Sequence, residues 1–157
     1  MAELRTLIIG VGNADRGDDG AGLAVVTLLR ERSDHADGVR LIQHWGEASG
    51  LVEAMAGWDR VLIIDAAASC KAPGDHHVFD VSTTPLPSDL TETSSHGFGV
   101  AQAIELARAL GSLPRDCRVY AIEGESFEAG AALSDRVQAA VGTVAEAIMQ
   151  SLELAPA

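Results

Sequence analysis

The chain has 157 residues, 23 acidic against 11 basic side chains, and a formal net charge of -12. That length fits one domain, 1–157, able to bury roughly two thirds of the surface its unfolded form exposes. The acidic excess argues against nucleic acid or an anionic membrane as partner, since both are bound through surplus Lys and Arg. Two cysteines, Cys70 and Cys117, are too few for a disulfide scaffold and lack metal-finger spacing, so both are expected to be reduced thiols. No apolar run approaches the ~20 residues of a membrane span, and Met1 to Arg5 carries no signal-peptide pattern. A soluble, cytoplasmic protein is expected.

The first predicted strand, about Leu4 to Val11, feeds Gly10-Val11-Gly12-Asn13-Ala14-Asp15-Arg16-Gly17-Asp18-Asp19-Gly20-Ala21-Gly22, and a helix follows from about Asp19 to Arg32. Glycine permits a tight strand-to-helix turn, and Gly-x-Gly there raises the idea of a phosphate cradle. Asp15, Asp18 and Asp19 oppose it, because carboxylates repel a pyrophosphate. The third glycine of a dinucleotide fingerprint is also replaced, by Asp15. Asp18 and Asp19 suit the positive end of a helix, and for Asp18 that is the expected role. Val39 to His44 reads as a short strand, and Trp45 to Gly50 as a second strand-to-helix junction before a helix through Leu51, Ala54 and Met55.

The most apolar strand, Arg60 to Ile64, suits a central position covered on both faces and delivers Asp65 at its carboxyl end. After a turn at Lys71 to Asp75, His76 to Val81 is expected as a fourth strand, antiparallel through a hairpin with its predecessor. Ser82 to Ser95 is a long Ser, Thr and Pro-rich connection ending at His96, where a helix begins with Val100, Ala103, Ile104, Ala107 and Leu110 at helical spacing. Gly111 and Pro114 stop it. Arg118 to Ile122 is the fifth strand, and Glu123 to Ser126 a loop in which solvated carboxylates are expected. The last helix repeats Leu133, Val137, Val141, Val144, Ile148 and Leu152, with Ser134 as N-cap. Strands alternating with helices imply a layered α/β domain, mostly parallel.

Three polar residues stand at element ends on one expected edge of that sheet: Asp19, Asp65 and His96. In a doubly wound order the first and third strands are neighbours across a switch point, where Asp19 and Asp65 can converge. Two carboxylates and an imidazole suit a borderline divalent cation such as nickel or zinc and leave coordination positions open. An aspartate ending a buried strand is costly without a purpose. His76 and His77 point to opposite strand faces and are expected to be structural. There is no Gly-x-Ser-x-Gly elbow, and neither cysteine has a partner for nucleophilic chemistry.

Taken together, Ile9-Gly10-Val11-Gly12-Asn13 with Gly17-Asp18-Asp19-Gly20-Ala21-Gly22, Val61-Leu62-Ile63-Ile64-Asp65-Ala66, Ser95-His96 with Gly99, and Ile122-Glu123-Gly124-Glu125-Ser126 through Gly130 to Leu133-Ser134 resemble the hydrogenase maturation endopeptidases over nearly the full length. These trim the C-terminal extension from the large subunit of nickel-iron hydrogenases. The sequence departs from the family at Gly124 and Asp135, where proline is common, which touches a loop and a helix start.

The resemblance implies a three-layer α/β/α sandwich with a twisted, mostly parallel five-stranded sheet carrying one antiparallel strand. It also implies a metal-dependent enzyme classed with aspartic-type endopeptidases. Its metal-contacting and catalytic residues fall here on Asp19, Asp65 and His96. The implied partner is a [NiFe]-hydrogenase large-subunit precursor already loaded with nickel, the only metal required and supplied by that substrate. The nickel acts as Lewis acid, or the carboxylates work as general acid and base; the sequence supports both. A monomer is adequate for such a reaction. The competing readings are a nickel-sensing chaperone that does not cut and a nucleotide-binding regulatory module.

Overall fold

The computed structural model describes residues 4–32, 38–69, 71–87 and 97–153. Among them the strands are β1 (Thr6–Val11), β2 (Val39–His44), β3 (Arg60–Ala67), β4 (His76–Asp80) and β5 (Asp116–Glu123). The helices are α1 (Ala21–Arg32), α2 (Ala48–Met55), α3 (Gly97–Leu110) and α4 (Asp135–Glu153), with a 3-10 turn at Gly17–Gly20 before α1. The strands form one sheet in the order β2-β1-β3-β5-β4. All pairs are parallel except β4 with β5.

Alternation along the strands divides the core into two layers. Ile8, Leu62, Ile64, Tyr120 and Ile122 face α1 and α4 with Val25, Val26, Val141 and Ile148. Leu7, Ile9, Val11, Val61, Ile63 and Val119 face α2 and α3 with Leu51, Met55, Val100 and Ile104. Every residue of β1 and β3 is buried, as a strand covered on both faces requires. The result is the expected α/β/α sandwich with one antiparallel strand. No helix among the described residues is long and apolar enough to cross a membrane.

Several element ends differ from expectation. The first helix starts at Ala21, because Gly17 to Gly20 wind more tightly as a 3-10 turn. β3 runs two residues past Asp65, held by Ala66 against Ile122 and Ala67 against Glu123. β4 makes no hairpin with β3: β5 lies between them, and His76 to Asp80 pair antiparallel with Arg118 to Ile122. β5, buried from Val119 to Glu123, takes the place beside β3, leaving the more exposed β4 at the edge.

β1 turns to β2 on one side and β3 lies on the other, so α1 and α2 cover opposite faces and a gap opens where β1 and β3 part. Their ladder ends at Gly10 against Ile64. Asp65 is the first residue of β3 beyond it.

Candidate functional site

The carboxyl edge at the β1/β3 gap is built by close backbone packing. A Cβ on Gly12 would collide with the Asp19 carbonyl, and one on Gly22 with the carbonyls of Ile64 and Val11. Glycine at these positions lets the 3-10 turn fold back on β1 and lets α1 begin directly over the ends of β1 and β3. Asp19 is therefore held above β1 while Gly22, three residues on, rests against the residue preceding Asp65.

Asp19 and Asp65 are 2% and 4% exposed, a placement costly for carboxylates that lack polar compensation. Asp19 Oδ2 accepts the Asn13 amide at 3.1 Å. The turn that carries Asp19 packs against β3, whose residue Asp65 follows the last pair with β1. His96 lies outside the described residues. α3 begins at the next residue, and a Cβ on its Gly99 would strike the Gly46 carbonyl, so the first turn of α3 is packed against the end of β2 at this same edge. Among the described residues no group of three or more His, Cys, Asp or Glu side chains is gathered to hold a metal ion.

Asp18 has a larger role than a charge at a helix start. It is 0% exposed. Its Oδ2 accepts the Glu125 amide at 2.7 Å, the Ser126 amide at 3.0 Å and the Ser134 hydroxyl at 2.9 Å, and its Oδ1 accepts the Ser134 amide at 2.8 Å. Burial alone would raise its pKa, but the hydrogen bonds from Ser134, Ser126 and Glu125 outweigh it and hold the carboxyl below its ordinary value. Asp18 thereby ties the Gly-rich loop to the segment after β5 and to the start of α4. Ser134 does sit before the first turn of α4, but its hydroxyl donates to Asp18.

Glu123 is also not solvated. It is 1% exposed at the end of β5, and its carboxylate accepts the Ser69 amide at 3.1 Å and the Ser69 hydroxyl. Pairing places Glu123 opposite Ala67 and Asp65 opposite Ala121, so by strand alternation both carboxylates leave the same face of the sheet. An acid directly after the four buried apolar residues Val119 to Ile122 was the available signal: such a run can continue into the next charge.

Six loop amides weigh against a phosphate cradle. Gly12 donates to the His44 carbonyl, Asn13 to Asp19, Asp15 to the Asn13 side chain, Arg16 to the Asn13 carbonyl, Asp18 to the Ser126 carbonyl and Asp19 to the Arg16 carbonyl. A pyrophosphate would find these donors already used. His44, at the end of β2, accepts the Gly46 amide on Nδ1 at 2.9 Å, which leaves its proton on Nε2. Burial lowers its pKa against the opposing pull of Glu47. His76 and His77 pair with Ile122 and Ala121, so they leave opposite faces of β4 as expected. Cys117 is buried with a free thiol, and burial with the nearby Asp116 and Asp80 pushes its pKa up to about 12. Cys70 lies outside the described residues.

Residues 23–151 match the family model described as hydrogenase maturation protease, a stretch that includes Asp65 and His96 and starts beyond Asp19. The chain is 30% identical over 140 residues to the hydrogenase expression/formation protein HoxM of Azotobacter vinelandii, covering 88% of this chain and 68% of that protein. It is 28% identical over 151 residues to the hydrogenase 2 maturation protease of Escherichia coli, covering 95% and 91%. The solved hydrogenase maturating endopeptidase HybD from E. coli superposes with a TM-score of 0.85 at 27% identity, covering 96% of this chain and 93% of that one. HybD from Thermococcus kodakarensis, a [NiFe] hydrogenase maturation protease, gives 0.71 at 25% identity, covering 94% and 98%.

Proposed function

This chain belongs to the hydrogenase maturation protease family, and we propose that it removes the C-terminal extension of a nickel-loaded [NiFe]-hydrogenase large-subunit precursor. The observation that supports the proposal is that the turn carrying Asp19 packs on the end of β3, where Asp65 follows the last β1/β3 pair. That is where an open α/β sheet offers its binding crevice. His96 is the proposed third contact, from its position in the family motif and directly before α3. The nickel belongs to the substrate. Two carboxylates and an imidazole supply part of a coordination sphere, so the precursor's own ligands complete it and cleavage waits for metal insertion.

When present, the metal supplies Lewis acidity toward the scissile carbonyl or the attacking water. The chain's own residues do the rest. Asp19 and Asp65 are nearly buried, so a partner covering them excludes bulk water, and either carboxylate can accept a proton from the attacking water. The Asn13 amide fixes the direction of the Asp19 carboxylate. The Asp18 clamp fixes the loop that carries it. The protein is proposed to act in the cytoplasm as a monomer.

The test is incubation with nickel-loaded precursor followed by intact-mass analysis. The parent protein is expected to remove a C-terminal peptide, and Asp65→Asn to lose about a hundredfold or more in rate while retaining its circular dichroism. Binding without any loss of mass in the parent would instead identify a nickel-sensing chaperone.

A further inference from the structure

Trp45 is 70% exposed, more than any other large hydrophobic residue described. It stands directly after β2, on the carboxyl edge that carries Asp19 and Asp65. Its backbone setting is fixed on both sides. Gly46 takes a φ of 101° and donates its amide to His44 Nδ1, and α3 packs Gly99 against the Gly46 carbonyl. On the far side, Glu47 caps α2 by accepting the amides of Ser49 and Gly50 together with the Ser49 hydroxyl. Those bonds keep the Glu47 carboxyl below its ordinary pKa, the Ser49 hydroxyl contributing most. A turn fixed on both sides thus presents an indole to solvent.

The protein that carries it is acidic, with a net charge of -12, and Glu47 follows Trp45 two residues on. An exposed aromatic face on a strongly acidic protein is complementary to a lysine or arginine: the ring face attracts the cation, and the net negative charge draws it in.

We propose that Trp45 is a docking anchor at the rim of the cleavage site, seating a lysine or arginine side chain on the surface of the precursor. This rests on the reading of the chain as a precursor-processing enzyme and names the surface that holds the substrate while the β1/β3 gap meets its metal. Rim and gap divide the work: Trp45 contributes to binding, and Asp19 and Asp65 to the chemical step.

Trp45 is too exposed to support the fold, so Trp45→Ala is expected to melt with the parent. Its KM for the nickel-loaded precursor is expected to rise about tenfold, as for a truncated aromatic hot spot, with kcat unchanged. Trp45→Phe retains a ring face and recovers most of the loss; Trp45→Leu, equally apolar without one, does not. Unchanged KM in Trp45→Ala overturns the anchor, and Trp45→Leu matching Trp45→Phe overturns the cationic occupant.

Direct binding is read from protein labelled with 5-fluorotryptophan, whose two tryptophans are Trp45 and Trp58. Trp58 already stacks under the Arg5 guanidinium at 4.6 Å and serves as the internal control. Unlabelled nickel-loaded precursor is expected to shift or broaden the Trp45 fluorine resonance and leave that of Trp58. Such a shift without cleavage by the parent would sink the protease reading and keep the anchor. Cleavage with the Trp45 resonance unmoved would do the reverse.

Discussion

Removing the Asp18 carboxylate tests whether the acidic loop is held by the rest of the chain. Asp18→Ala strips the acceptor from three backbone amides, those of Glu125, Ser126 and Ser134, and from the Ser134 hydroxyl, all in a buried pocket. A hydrogen bond to a charged group contributes about 1.5–3 kcal/mol, and an orphaned buried donor costs a similar amount. The four share one carboxylate and do not add, so the expected loss is about 3–5 kcal/mol. For a chain this size that lowers the melting temperature by roughly 6–20 °C.

Asp18→Asn is milder. Its amide oxygen can take the Oδ2 position and keep the Glu125, Ser126 and Ser134 hydroxyl donors, leaving its NH2 to face only the Ser134 amide. One repelled donor and the lost charge cost about 1.5–3 kcal/mol. Because the folded-state pKa is lowered, the ionised carboxylate stabilises the fold fully above its unfolded value near pH 4, and that stability is lost as pH falls through the folded pKa. The gap between parent and Asp18→Asn should therefore be constant from pH 7 to about 5 and close below about 4. Urea unfolding at each pH measures it. An Asp18→Ala within about 1 kcal/mol of the parent, or a gap that persists unchanged into strong acid, would refute the clamp.

Gly22→Ala drives a methyl group into the Ile64 and Val11 carbonyls. Neither is a flexible side chain, so a loss of about 3 kcal/mol or more is expected in urea unfolding; a fully stable variant would show that α1 is not packed on the strand ends. Cys117, buried with its thiol pKa pushed up to about 12, should resist iodoacetamide at pH 8 in the folded protein and react after denaturation. Peptide mapping reads that difference, and rapid labelling of the native chain at Cys117 would contradict its burial.

What local pattern governs was legible. β2 has the expected bounds because charge and turn residues end it on both sides, and β1 and β3 announce themselves as apolar runs. Pairing partners were not. Proximity in sequence suggested that His76 to Val81 would fold back on β3, but β5, buried from Val119 to Glu123, takes the central place. Asp65 looked like a strand end because charge normally terminates an apolar run, whereas β5 extends the ladder two residues further. Glu123 was misread for the same reason, its partner Ser69 lying 54 residues away.

The Asp18-Asp19 pair shows why a motif can be legible while its division of labour is not. Consecutive side chains on a 3-10 turn diverge by about 120°, so two adjacent acids cannot face the same way. One must turn inward, and it is Asp18, because the segment after β5 brings amides 107 and 108 residues distant to meet it. Asp19 is thereby directed to the other side of the turn, toward Asn13. The first acid is the fixed point about which the second is aimed, so Asp18 governs the candidate site without belonging to it.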